Sequence, residues 1–292
     1  MIRYIKIIIP ILFIVVMFGC KGEETEKNDG IKTNQGKVFK FKNKMFSFPS
    51  PFHVSDLVIK ISEDFNSDLL NQTSNKMRYI STEKKALNLG VYTADLGYCN
   101  VYDQFALTSQ YIKAVRSLSS DLQILNVYTT EILDKIERNL QNKDSLHKIF
   151  AESYREADIY LSDNEREDVS VMIMAGGWIE SMYLMTQISK KNQNIFLIER
   201  IGEQKYSLEN IVKLMLQYKN SSTIISNEIL EKLVDLKKSY ANMEIIYEYD
   251  KHIVLPNEKK TIIISNTKIN MTESLLTEIT KKVETLREMV IN

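Results

Sequence analysis

The sequence predicts a mainly α fold: an array of about eight or nine packed helices with a small C-terminal β-hairpin insertion. Two observations support this fold class. Apolar residues recur at helical spacing through most of the 292-residue chain, and Ser, Thr or Asp stands in front of most of these stretches, as N-cap residues do. A third observation predicts the exception, because short β-type runs are confined to the region between Glu244 and Ser265.

The central helix is predicted at Val169–Gln187, the most apolar run of the chain after its first 20 residues. Its apolar residues lie on nearly every side of the helix, which is typical of burial on all sides. About 20 apolar residues could also span a bilayer, but Glu180 argues against a span because carboxylates are rare inside membranes. Each glycine of Gly176-Gly177 costs about 1 kcal/mol relative to alanine, so we expect another helix to cross there.

The other helices are predicted from cap residues followed by apolar periodicity. The helix capped by Thr82 has small residues, including Gly90, along one stripe, which permits close packing against a second helix. Further helices are expected at Val54–Ile61, at Tyr111–Leu118, after Thr130, from Asp144 to Leu161, after Ser207, after Ser226 and after Thr272.

The β insertion is predicted at about residues 244–265. Glu244–Tyr249, His252–Leu255 and Thr261–Ser265 are rich in Ile, Val and Tyr, and Pro256-Asn257 supplies a turn. Such runs, bounded by turn residues, predict either a small hairpin or three short strands.

The N-terminus has the pattern of a bacterial lipoprotein signal peptide at residues 1–19. Arg3 and Lys6 precede the hydrophobic region Ile7–Phe18, which is too short for a stable span and ends at Gly19-Cys20. Cleavage would make Cys20 the first residue of the mature chain, with lipid on its thiol and an N-acyl chain, such as palmitate, on its amine. Several acyl chains anchor a protein stably. The alternative is an uncleaved N-terminal anchor.

A flexible tether is predicted to follow the lipidated cysteine, at residues 20–45, with a single helical domain at 46–292. Lys21–Lys37 contains one apolar residue and cannot bury a core. Lys21 followed by Glu23-Glu24 resembles the export signal of surface-exposed lipoproteins, although an ordinary solvated linker is the alternative. The prolines of Phe46–Phe52 predict an extended segment that docks on the domain.

Composition and charge exclude several function classes. Removal of the signal peptide leaves 36 basic and 38 acidic residues, so no basic surface for nucleic acid is predicted. Cys99 would be the remaining cysteine, so the fold does not depend on an internal disulfide. The three histidines lie far apart in the sequence, and we predict no metal and no cofactor.

Segments that resemble catalytic or metal-binding motifs are each incomplete. Asp64–Asp68 opens like a calcium loop, but the required glycine and the closing glutamate are missing. Ser145–Lys148 and Ser162–Asn164 imitate elements of penicillin-binding enzymes, but they lie too close together and no Lys-Thr-Gly follows. No glycine-rich phosphate loop or Gly-x-Ser-x-Gly elbow is present. The sequence therefore predicts no catalytic residue by motif.

Polar and aromatic residues within the two glycine-bearing helices are the candidate binding residues. A carboxylate in an apolar helix must be paired, hydrogen-bonded or directed into a cavity. One interpretation is an aromatic-lined pocket between the helices, and the other is that both carboxylates bond neighbouring helices in the core. The candidates are Tyr92, Asp95, Tyr98, Trp178, Glu180 and Tyr183.

Four segments resemble those of uncharacterised helical lipoproteins of Bacteroidota: FPSPFHV, KALNLGVYTADLGY, NKDSLHKIF and AGGWIESMYLMTQ. The resemblance covers most of Phe46–Ile291 and is most specific in the two glycine-bearing helices. It implies a helical fold and a lipid-anchored position at the outer membrane, facing the periplasm or the cell surface. It implies no activity.

Two classes of function follow. The first is a monomeric, lipid-anchored binding or scaffolding module of the outer envelope, without catalytic activity, that holds a small ligand or an envelope protein. The alternative is a hydrolase that uses Asp95 and Glu180 as an acid–base pair. Glycosidase-type pairs lie roughly 5–10 Å apart across an open cleft, so the positions of these two carboxylates distinguish the classes.

Overall fold

The computed structural model describes residues 37–41, 44–48, 64–124, 130–139, 142–241, 243–256 and 260–292. Residues from Gly36 to the C-terminus form one compact unit. The predicted signal peptide, Cys20, most of the tether and the helix expected at Val54–Ile61 lie outside the described residues.

The predicted fold class is confirmed: the protein is mainly helical, with a hairpin near its C-terminus. Eight α-helices lie in the described ranges, and a segment with two 3₁₀ turns, Ser67–Leu69 and Thr73–Arg78, precedes the first of them. The helices are α1 (Thr82–Val101), α2 (Phe105–Asp121), α3 (Thr130–Arg138), α4 (Lys143–Asp163), α5 (Glu167–Asn192), α6 (Ile195–Tyr218), α7 (Asn227–Ser239) and α8 (Glu273–Ile291).

Helix α5 is the centre of the array, as its composition predicts. It packs against α1, α4, α6 and α8, and all its residues from Val169 to Ser189 are buried except Tyr183 and Gln187, which are half-buried. Within the described part of the chain it is the one helix long and apolar enough to cross a membrane. Of its most apolar stretch, 94% is buried inside the protein. Such burial is typical of a helix in the core of a folded domain.

The expected helix crossing at the glycines is also confirmed. Gly90 of α1 lies against the backbone of α5 between Ile173 and Gly177, and Gly176 of α5 lies against the carbonyl group of Leu87. The contact holds α1 and α5 side by side, and it positions the carboxylates one turn or more further along each helix.

Three helix starts differ from the prediction. Ser81 rather than Thr82 caps α1 by accepting a hydrogen bond from the Lys84 amide. Asn142 rather than Asp144 caps α4. Ser207 lies inside α6 rather than at its start, because the helix begins after Asn194 and passes Gly202 without a break. The predicted caps Ser226 and Thr272 are confirmed for α7 and α8.

The C-terminal β region is one antiparallel hairpin of two long strands, β3 (Ile245–Leu255) and β4 (Lys260–Ile269). The two runs separated in the sequence by Asp250 and Lys251 belong to a single strand, because an irregularity between Tyr249 and Lys251 absorbs the extra residue. The hairpin also extends beyond the predicted end at Ser265. Its base is held at α6, where Ile269 lies beside Gly202.

A second hairpin lies near the start of the described chain. Its strands β1 (Lys37–Phe41) and β2 (Lys44–Phe48) pair antiparallel, so regular structure begins before the predicted domain start at Phe46 and inside the predicted tether. The first part of the expected docking segment, Phe46–Phe48, belongs to this hairpin. The rest of that segment lies outside the described residues.

Candidate functional site

The crossing of α1 and α5 brings Asp95 and Glu180 together in the core. Both side chains have zero exposure to solvent, and their carboxyl groups lie within hydrogen-bonding distance of each other. The sequence placed these residues in neighbouring helices and left their role open between a pocket and a core contact. In the structure the two carboxyl groups contact each other directly.

Arg287 of α8 completes this group, which we call the carboxyl–arginine cluster: Asp95, Glu180 and Arg287. The Nε of Arg287 donates to both carboxylate oxygens of Glu180, at 3.0 Å and 2.9 Å, and its Nη2 donates to the carbonyl oxygen of Leu69 at 2.8 Å. Its guanidinium also lies 4.0 Å from the centre of the Tyr183 ring. The contacts combine a charge-assisted hydrogen bond with a cation–π interaction.

Burial dominates the electrostatics of the cluster. Burial, and then the negative charge of Glu180, raise the pKa of Asp95 well above its ordinary value, against the opposing effect of Arg287. Burial also raises the pKa of Glu180, with Arg287 acting in the opposite direction. For Arg287, burial alone would lower the pKa, but the charge of Glu180 and its hydrogen bonds raise it. The arginine is therefore charged throughout the ordinary pH range.

The cluster continues into a polar network around Asn71, which lies in the irregular segment before α1. The Asn71 amide donates to Oδ2 of Asp95 at 3.1 Å, and its carbonyl oxygen accepts from the Tyr111 hydroxyl at 2.9 Å. The Asn71 side chain donates to the Tyr79 hydroxyl and to Asn88. Backbone groups that are not in regular structure need such partners when they are buried, so the network accounts for polar side chains in the core.

Tyr92 and Tyr98 serve the same segment. The Tyr92 hydroxyl donates to the carbonyl oxygen of Gln72 at 3.0 Å, and the Tyr98 hydroxyl accepts from the Asn66 amide at 3.2 Å. Both side chains are buried, and burial raises the pKa of Tyr98 to about 12. Both phenols are therefore neutral hydrogen-bonding groups that hold residues 66–72 against α1.

Trp178 lies apart from the other candidate residues. Its Nε1 donates to the side chain of Gln204 on α6 at 3.2 Å, and its ring is buried. Tyr183 is half-buried beneath Arg287. The structure thus joins Asp95, Glu180 and Tyr183 through Arg287, joins Tyr92 and Tyr98 to the irregular segment, and separates Trp178 from both groups.

Arg287 and Asn71 are not among the candidate residues that the sequence identifies. Arg287 carries a signal that could have identified it, because it lies among the buried positions of α8, which include Val283, Leu286 and Val290. A charged residue on an apolar stripe demands a buried partner. Asn71 has no comparable signal, since its importance comes from the loop conformation.

The chemistry open to this site is limited by its packing. Within the described residues, no group of three His, Cys, Asp or Glu side chains could hold a metal ion. The Cys99 thiol is fully buried and burial raises its pKa, which opposes a nucleophilic role. The Asp95 and Glu180 carboxyl groups contact each other rather than facing across a space that a substrate and water could occupy.

Comparison with known proteins gives no family for this chain. No protein-family model matches it, and no solved structure matches it. It is 24% identical over 183 residues to "Probable polyketide synthase 5" of Dictyostelium discoideum, across 56% of this chain. It is 21% identical over 212 residues to "Probable polyketide synthase 9/36" of the same organism, across 69% of this chain. The chain spans about 7% of the length of these relatives.

Proposed function

We propose that this protein is a lipid-anchored helical module of the bacterial outer envelope that binds or scaffolds a protein partner and has no catalytic activity. The anchor would be the lipidated Cys20, since Arg3, Lys6 and the short hydrophobic region before Gly19-Cys20 form a lipoprotein signal. The resemblance to helical lipoproteins of Bacteroidota supports the same location. The domain would face the periplasm or the cell surface.

The observation that carries the non-catalytic part of this proposal is the enclosure of the carboxyl–arginine cluster. Asp95 and Glu180 have zero exposure, and their hydrogen bonds go to Arg287 and to Asn71. A hydrolase with this acid–base pair would need an open space of roughly 5–10 Å between the carboxylates. The hydrolase is therefore the second candidate function. Because the candidate residues are packed against one another, we also favour a protein partner over a small ligand.

The β3–β4 hairpin supports a binding role. Tyr249, Ile253 and Val254 are 63%, 42% and 54% exposed, and among the described residues the hairpin is a two-stranded sheet with no third strand. Exposed strand edges are available to pair with an extended segment of another protein. The partner class that fits is an envelope protein that contributes such a segment.

Lipid labelling tests the anchor. In cells grown with a labelled fatty acid, the wild-type chain should carry label and sediment with the outer membrane. Cys20→Ala should leave the precursor uncleaved and unlabelled, whereas Cys99→Ala, which keeps the proposed anchor, should be labelled like the wild type. Labelling and normal processing of Cys20→Ala would refute the anchor.

Site-specific photo-crosslinking tests the binding role. A photoreactive amino acid at Val254 should give one discrete adduct with a different envelope protein. The same residue at Leu216 of α6, which is 51% exposed, is the matched control and should give none. An adduct of two copies would contradict the predicted monomer, and the absence of any adduct at Val254 would remove the hairpin as the binding element.

A further inference from the structure

The hydrogen bonds of Asp95 leave one of its oxygens without a donor. Oδ2 accepts from the Asn71 amide, but Oδ1, which is buried, has no N–H or O–H partner among the described residues. Glu180 lies beside it, and both Glu180 oxygens already accept from Arg287. Ionised carboxylates only accept hydrogen bonds, so two of them cannot bond each other unless one carries a proton.

The charges around Asp95 lead to the same conclusion. Arg287 is the cation whose charge acts on both carboxyl groups, so two ionised carboxylates beside this one arginine would leave a net negative charge in the core. The other titratable groups that face the pair are neutral, and burial raises their pKa values further: Tyr79, Tyr92, Cys99, Tyr111 and Tyr183. An uncompensated buried charge is strongly unfavourable.

We propose that one proton held between Asp95 and Glu180 is a structural part of this protein, and that it locks the segment Asn66–Tyr79 onto the helices. Asp95 is the protonated residue, because Glu180 is the partner of the Arg287 guanidinium. The O–H of Asp95 donates from Oδ1 to the Glu180 carboxylate, while Oδ2 continues to accept from the Asn71 amide. The cluster is then neutral, and each carboxyl oxygen has a partner.

The proton makes the lock sensitive to pH. Between the ordinary pKa of a carboxyl group and the raised pKa of Asp95 in the folded state, the folded protein holds one proton more than the unfolded chain. Stability from the proton is therefore fully present at low pH and is lost as pH rises through the raised folded-state pKa. Over that window the unfolding equilibrium constant should rise by up to tenfold per pH unit. Loss of the proton leaves an uncompensated negative charge in the core beside Glu180. Opening of the segment, whose Asn71 amide and Leu69 carbonyl group contact the cluster, then becomes the route by which water reaches that charge.

Denaturant unfolding across a pH series tests the proton. Asp95→Asn keeps the shape of the side chain and places an N–H donor near Glu180, but it does not titrate. The ratio of the wild-type to the Asp95→Asn unfolding constant should rise by up to tenfold per pH unit above about pH 5. Asp121→Asn, at the exposed end of α2, is the control and should follow the wild type. Parallel profiles for the wild type and Asp95→Asn would overturn the proposal.

Infrared spectroscopy gives a test that does not require a stable variant. The wild-type protein should show the C=O stretch of a buried protonated carboxylic acid at neutral pH, and the band should shift in D₂O, whereas lipid ester carbonyls do not shift. Asp95→Asn should abolish this band and Asp121→Asn should keep it. Absence of the band from the parent protein at neutral pH would refute the proton directly.

Limited proteolysis tests the lock itself. Lys76 and Arg78 lie in the 3₁₀ turn of the locked segment, so trypsin reports its opening. Relative to Asp95→Asn, cleavage of the wild type after these residues should accelerate as pH rises. Cleavage that accelerates equally in both proteins would contradict a lock that depends on the Asp95 proton.

Discussion

Gly90 of α1 and Gly176 of α5 lie at the same helix crossing, so close that a β-carbon on Gly90 would come within 3.1 Å of the carbonyl carbon of Gly176. That β-carbon would also lie 2.0 Å from the carbonyl oxygen of Ile173, and one on Gly176 would lie 1.9 Å from the carbonyl oxygen of Leu87. The obstructing atoms belong to the backbone, which cannot turn aside as a side chain can. The absence of side chains here is what allows α1 and α5 to touch.

Gly90→Ala and Gly176→Ala should each destabilise the protein. Alanine favours the helix by about 1 kcal/mol, but the methyl group would force the two backbones apart, and overpacking of this kind typically costs about 1–3 kcal/mol or more. Urea midpoints of the two single variants measure the result. A higher midpoint for both variants would contradict the close crossing.

Gly202→Ala is the matched control for the glycine variants. Gly202 also lies inside a helix, but a β-carbon there would meet the side chain of Ile269, at 2.6 Å, rather than backbone. A side chain can move, so the loss should be smaller than at Gly90 or Gly176. An equal loss at all three glycines would indicate that the effect is general to helical glycines.

Arg287→Gln should destabilise the protein by about 3–5 kcal/mol, because it removes the charged partner of a buried carboxylate. It would leave Glu180 without its charge partner and the carbonyl oxygen of Leu69 without its donor. Lys190→Gln is the control, since it breaks the Lys190–Glu284 pair on a solvent-accessible face, and such pairs contribute about 0–1 kcal/mol. Thermal or urea unfolding separates the two outcomes, and similar losses would contradict the special role of Arg287.

Ser81→Ala should lower stability by about 1 kcal/mol, whereas Thr82→Ala should change it little. The Ser81 hydroxyl accepts the Lys84 amide at the start of α1, and loss of an N-cap bond typically costs about 0.5–2 kcal/mol. Thr82 is the first residue of the helix and is exposed. A lower unfolding midpoint for Thr82→Ala than for Ser81→Ala would show instead that Thr82 is the cap, as the sequence predicts.

The domain should fold without metal. The described residues contain no cluster of three potential ligands, so a chelator should leave both the helical circular dichroism and the melting temperature unchanged. Re-addition of Zn²⁺ or Ca²⁺ after the chelator is the control for a site that had been emptied. Unfolding on chelation, or a rise in melting temperature on re-addition, would contradict a metal-free fold.

The elements that the sequence predicted are those specified by local chemistry. Helical periodicity is a property of neighbouring residues, so the burial of α5 could be read directly from Val169–Gln187. A glycine pair within a strongly helical run indicated a crossing for the same reason, and the caps at Ser226 and Thr272 depend on hydrogen bonds within four residues. The sequence also identified Asp95 and Glu180 as carboxylates that need partners.

The identity of those partners was decided by tertiary structure. Arg287 is 107 residues from Glu180 in the chain, and nothing in either helix specifies that the two meet until α8 packs beside α1 and α5. The proton-holding pair and the locked segment around Asn71 arise in the same way. Local sequence determines which faces must be buried, but the pairing of charges across the core depends on which helices come to share that core.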